Sequence, residues 1–170
     1  MRHIVLVGLP GSGKSVIGAE AAVLLSAQVH DIDAILVRRM QMPIERIFGE
    51  LGEARFRELE REAVGAAVAG PPAIVVPGGG WAAQPGALES VRPAAFLIYV
   101  KVPPATAAAR AASGEARPLL TGPSPLERMR AILKDREPCY LRADAEVMNE
   151  GPPVEAAAAI AAMARQYAGW

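Results

Sequence analysis

Aromatic residues make up only 5% of this 170-residue chain, so its core cannot rest on large rings. Aliphatic side chains and 34 alanines carry the apolar fraction of 52%, which points to alanine-rich helices and an aliphatic interior. Cysteine occurs once, at Cys139, and histidine twice, at His3 and His30. One thiol excludes an internal disulfide, and with two histidines it is too few for a zinc-ligand cluster, so a cytoplasmic protein is expected. An excess of charge is missing as well, since 18 Lys+Arg balance 18 Asp+Glu. With no long basic block to neutralise phosphates, nucleic acid is not an expected partner. Nor does any stretch approach the ~18 apolar residues that a membrane span requires, and Ile4 to Leu9 is too short for a signal-peptide core. These absences leave one domain over residues 1–170, no membrane partner, and a small molecule as ligand. Lysine is scarce too: Lys14, Lys101 and Lys134 stand among 18 basic residues, and only four aspartates occur, so Lys14 and the pair Asp31 and Asp33 draw notice.

What is present reads as strands alternating with helices. Ile4 to Val7 is a β-branched run ending at Gly8, and apolar residues recur at helical spacing from Lys14 to Ala27. Two further apolar runs, Ala73 to Val76 and Ala94 to Val102, lack the alternation of half-exposed strands and read as buried on both faces. Shorter strands are expected at Gln28 to Asp31 and Ala145 to Asn149, with helices at Glu53 to Ala69, Leu126 to Arg136 and Val154 to Ala168. That alternation predicts a parallel sheet. Ser124, Pro125 and Glu127 form a helix start, and the helix they open should break at Glu137-Pro138. The polar, Gly- and Pro-containing stretch Ser113 to Pro123 suits a mobile lid.

Gly8-Leu-Pro-Gly-Ser-Gly-Lys-Ser15 fits the phosphate-loop pattern and has the required strand before it and helix after it. Its glycines let backbone N–H groups turn toward phosphate oxygens, Lys14 reaches the terminal phosphates, and Ser15 offers a hydroxyl to Mg²⁺. Asp31 and Asp33 follow the second strand, at the sheet end where ligands collect. Their pattern fits two arrangements: carboxylates for a metal and an attacking hydroxyl, or a helix cap with a first-turn acid. Gly78 to Gly80 allow close approach of backbone to a ligand, or a plain tight turn. Arg57 lies in a Glu-rich helix, where an exposed ion pair is its ordinary use. Arg117 lies in the lid stretch, where a cation can close over phosphate.

Together these residues resemble the shikimate kinase family. The matching segments run from Gly8–Ser15 through Asp31-Ile-Asp33, Ile47 to Glu60, Gly78–Gly80 and Arg117-Pro-Leu-Leu120 to Arg136-Glu-Pro-Cys-Tyr140. The resemblance implies a P-loop three-layer α/β fold with a five-stranded parallel sheet flanked by helices. It also implies substrate-binding helices at about 34–62 and a lid at 113–123. By the same resemblance Gly11, Ser12, Gly13, Lys14, Ser15, Val16, Arg110 and Arg117 bind ATP, with Arg110 near adenine. Ser15 and Asp31 serve Mg²⁺, and Asp33, Arg57, Gly79, Gly80 and Arg136 hold shikimate, the two arginines on its carboxylate. Lys14, Asp33 and Arg117 act in phosphoryl transfer to form shikimate 3-phosphate, in chorismate and aromatic amino-acid biosynthesis, by a monomeric cytoplasmic enzyme.

Trp81 departs from the family, which usually has a small residue after the triple glycine. The ring either packs beneath the turn or reshapes the pocket, and the second case favours a kinase of another hydroxy acid such as gluconate. A nucleotide-binding regulatory protein without turnover is the rival of another class. Trp170, the other tryptophan, is expected to be exposed.

Overall fold

A computed structural model describes residues 1–113 and 124–170. Five strands, β1 (His3–Val7), β2 (Val29–Asp31), β3 (Ile74–Val76), β4 (Ala95–Lys101) and β5 (Ala145–Met148), form one parallel sheet in the order β2-β3-β1-β4-β5. Seven helices lie among the described residues: α1 (Lys14–Leu25), α2 (Ile32–Met40), α3 (Ile44–Val68), α4 (Ala87–Val91), α5 (Pro104–Ala112), α6 (Pro125–Tyr140) and α7 (Pro153–Tyr167). A short 3₁₀ turn, Trp81–Ala83, follows the triple glycine.

The strand alternation decides which helices go where. Side chains of a strand point alternately to its two faces. Val5, Val7, Val75, Leu97 and Tyr99 join a core with α2 to α6, whereas Ile4, Leu6, Ile74, Val76, Phe96 and Ile98 join a second core with α1 and α7. Both faces being apolar, β1 and β4 read as unbroken hydrophobic runs, as parallel strands between two helix layers do. Gly18 lets α1 pack closely on the sheet: a Cβ there would stand 2.9 Å from Val76 Cγ2.

Three features depart from the sequence expectation. Helix α6 does not break at Pro138 but continues to Tyr140. Proline removes one N–H in the last turn, while burial of Tyr140 holds the chain helical beyond it. Trp170 is half-buried rather than exposed: its ring packs on the α1 and α7 core and its Nε1–H donates to the Arg2 carbonyl at 2.9 Å. Helix α3 begins upstream of the expected start, at Ile44, and carries a non-helical residue, Gly52, where its two pieces join. Among the described residues no helix is long and apolar enough to cross a membrane. Residues 114–123, with most of the expected lid and Arg117, lie outside the described residues.

Candidate active site

On either side of β1 the sheet runs to β3 and to β4, which opens a crevice beyond the carboxyl ends of the strands. The phosphate-loop segment leaves β1 into this crevice and ends at the start of α1. Gly13, in the left-handed region at φ 86°, turns the chain into the helix. A Cβ at Gly13 would lie 2.6 Å from Asn149 Nδ2, which donates to the Ser12 carbonyl at 2.8 Å and braces the loop from behind. No acidic residue sits in the first turn of α1, so the positive end of the helix faces the loop with no carboxylate opposing an anion there.

Lys14 is buried, and its ammonium donates to the Gly8 carbonyl at 2.9 Å and the Leu9 carbonyl at 2.8 Å, with Ser12 Oγ at 3.3 Å. Ser12 is buried behind the loop, whereas Gly11, Gly13, Lys14, Ser15 and Val16 line a cavity of about 320 Å³ that also reaches Arg110. Arg110 is anchored by donating from Nη1 to the Asn149 carbonyl at 2.9 Å.

A second cavity, of about 590 Å³, shares Gly11, Ser15, Asp31, Asp33, Gly78, Gly79 and Arg110 with the first and extends toward α2 and α3. Asp31 caps α2, its Oδ1 accepting from Ala34 N–H at 3.0 Å, and Asp33 lies in that helix's first turn. Both also line the two cavities, so the cap arrangement leaves the two acids at the crevice.

Arg57 is not an exposed surface partner. Its side chain is 14% exposed and its Nη1 donates to Glu60 Oε2 at 2.9 Å, with Glu53 at 3.3 Å. The guanidinium lies over the rings of Phe48 and Phe56, 5.7 and 5.4 Å from their centroids, and packs against Gly80, where any Cβ would collide with it. This close approach, with Gly78 against Glu60 and Gly79 against Pro10, explains the triple glycine. Arg136 completes the far wall; its Nη1 is buried with no protein partner. Tyr140 lies one turn on, donates its hydroxyl to the Gly79 carbonyl, and packs its ring on Tyr99 at 5.3 Å. Burial pushes its phenol up to about 12. Trp81 is 1% exposed and sits in the core, not in the cavity wall.

Thirteen of the fourteen expected site residues gather at this crevice, and Arg117 lies outside the described residues. Sequence reasoning missed Glu60, which is fully buried beside Asp33, Arg57 and Gly78 and whose carboxyl burial raises to about 7. The available signal was its place one helical turn after Arg57. The apolar wall of Phe48 and Phe56 was also missed.

A family model described as shikimate kinase matches residues 10–165. The shikimate kinase of Mycobacterium avium is 39% identical over 139 residues, covering 82% of this chain and 78% of that protein. Among solved structures, shikimate kinase from Acinetobacter baumannii in complex with shikimate superposes with a TM-score of 0.92 at 27% identity, covering 98% of this chain and 94% of that one. A gluconokinase from Sinorhizobium meliloti shares the fold at a TM-score of 0.62 and 18% identity, covering 99% and 96% of the two chains.

Proposed function

Because this chain belongs to the shikimate kinase family, we propose that it transfers the γ-phosphate of ATP to a hydroxyl of shikimate, giving shikimate 3-phosphate on the way to chorismate and the aromatic amino acids. The observation that carries this reading is one cavity lined together by Arg57 and Arg136, by Asp33, and by Gly11 and Ser15 of the phosphate loop. A hydroxy acid of ring size needs that sequence of groups: a carboxylate clamp, an apolar wall, an acceptor for its hydroxyl, and a phosphate beyond.

In this reading Arg57 and Arg136 hold the carboxylate, the buried and unpartnered Arg136 Nη1 being a donor in want of an oxygen. Gly79 and Gly80 bring backbone against the ring, and Phe48 and Phe56 exclude water from it. Asp33 accepts the hydrogen bond of the attacking hydroxyl, orients its lone pair toward phosphorus and takes its proton. The N–H groups of residues 11–16 cradle the phosphates, Arg110 flanks the base, and Lys14 exchanges its loop carbonyls for phosphate oxygens. Arg117 is assigned to the transferring group. Such a reaction asks mainly for positioning and charge stabilisation, so it needs no nucleophilic side chain.

Ser15 and Asp31 bring a hydroxyl and a carboxylate to the mouth that both cavities share, a hard-oxygen pair that fits Mg²⁺. When bound there, Mg²⁺ supplies neutralising charge for the phosphates.

We read residues 1–170 as one kinase domain with substrate helices at about 34–62 and a lid at 113–123. We read it as a monomer of the cytoplasm, where a lone cysteine is in keeping with reducing conditions. The burial of Trp81 away from the cavity removes the feature that favoured gluconate. A coupled ADP-release assay with MgATP and shikimate, quinate or gluconate tests the reading. Release that depends on shikimate and far exceeds that with gluconate is expected; equal release with and without shikimate overturns it.

A further inference from the structure

Glu60 has no exposed surface, so its carboxyl group has to find its hydrogen bonds inside the protein. Its Oε2 has two donors. One is Arg57 Nη1 at 2.9 Å. The other is Gln84 Nε2 at 2.7 Å, from the residue that closes the 3₁₀ turn after the triple glycine.

Three features fix Gln84 for this task. Its own N–H donates to the Trp81 carbonyl at 3.0 Å, which ties the residue to a turn whose first side chain is locked in the core. Pro85 follows and favours the extended backbone that Gln84 adopts, φ −73° and ψ 138°. An amide can also present either end to a carboxylate, and only the NH₂ end is tolerable. Arg61 Nη1 donates to Gln84 Oε1 at 2.9 Å, which selects that orientation. A chain of contacts therefore runs from exposed Arg61 through Gln84 to buried Glu60 and on to Arg57.

We propose that Gln84 is a positioning residue for the substrate-carboxylate clamp, holding Glu60 so that Glu60 in turn sets the guanidinium of Arg57 toward the cavity. The proposal rests on the shikimate reading for the identity of the substrate. It also gives Trp81 a role, since the buried ring anchors the turn that carries Gln84. Without the Gln84 bond, Glu60 keeps Arg57 as its one protein donor on that oxygen, and the carboxyl that steers the guanidinium is held from one side only. Carboxylate binding then weakens, while the phosphate loop, which Gln84 does not touch, is unaffected.

Steady-state kinetics of the full chain test this with Q84L, Q84E and R61L. Q84L removes both amide contacts at similar size and is expected to raise the shikimate KM about fivefold, with kcat within twofold and the ATP KM unchanged. Q84E keeps an acceptor for Arg61 but turns an oxygen toward Glu60, and should raise the same KM further. R61L leaves the amide in place without its orienting partner and should raise it less. The double variant R61L/Q84L should match Q84L alone, because the two act in series. An unchanged shikimate KM in Q84L overturns the proposal, as does a fall in kcat and both affinities together with a lowered melting temperature. Wild-type turnover is the reference: if the wild type ignores shikimate, the activity reading fails, whereas an active wild type with an indifferent Q84L removes Gln84 alone.

Discussion

Glu60 and Arg57 sit three residues apart on α3, and the pair shows how much a single position depends on chain far from it. Read along the helix, Glu60 is one more acid in a Glu-rich surface, and its neighbours Glu58 and Glu62 are indeed exposed. What buries it is the triple-glycine turn, which arrives from β3 and leaves no room for solvent. The sequence therefore held the motif but not the burial, because burial is set by two elements meeting. A pH prediction follows from that burial. In the fold the carboxyl keeps its proton to about pH 7, whereas the ordinary value is 4.5, so between those values the native state binds the extra proton. Stability is then full below the unfolded value and is lost as pH rises through the folded one, with a slope approaching about 1.4 kcal/mol per pH unit. His3 works in the opposite sense: burial lowers its value from 6.5, so its contribution is lost as pH falls. Comparing the wild type with Glu60→Gln cancels His3. Urea midpoints of the two should agree near about pH 4.5 and separate as pH rises, with Glu60→Gln the more resistant at about pH 8. Parallel curves would show that Glu60 titrates normally.

At the scale of elements, the buried strands were legible because apolar runs without alternation fit only a sheet covered on both faces. The start of α6 was legible as well, since Ser124 Oγ does accept from Glu127 N–H, at 3.4 Å. Its end was not: local rules stop a helix at Pro138, but the ring of Tyr140 is fixed by Tyr99 and its hydroxyl by Gly79, both distant in sequence. This makes the last turn of α6 a strut that carries Arg136 on one side and supports the glycine turn on the other. Tyr140→Phe keeps the ring packing and removes the bond to Gly79, so it should cost about 1 kcal/mol in denaturant unfolding and raise the shikimate KM. Tyr140→Ala adds a cavity and should cost about 3 to 5 kcal/mol. Equal stability loss in the two variants would mean that the hydroxyl, not the ring, is what holds the strut. Trp81→Ala belongs with the larger class, again about 3 to 5 kcal/mol, since its ring is core rather than cavity wall.

Across the whole molecule the site divides in two. Gly13, Lys14 and Val16 line only the cavity at the phosphate loop; Arg57, Glu60 and Arg136 line only the one under α2 and α3; Asp31, Asp33 and Ser15 line both. The phosphoryl group has to cross where the cavities meet, so substitutions should sort by side. With Arg57 and Arg136 proposed as the clamp on the substrate carboxylate, Arg57→Ala or Arg136→Ala should raise the shikimate KM roughly tenfold or more while the ATP KM stays near the wild-type value. In the proposed scheme Lys14→Ala should instead lower kcat by about 10² or more, by withdrawing charge from the transferring group. Asp33→Asn keeps the size of the side chain but not its charge, and at the junction it should lower kcat with smaller effects on either KM. Measuring kcat and both KM values for all four variants checks the division. If Arg57→Ala weakened ATP as much as shikimate, the arginine would be supporting the fold shared by both cavities rather than clamping one ligand, and the carboxylate assignment would fall with it.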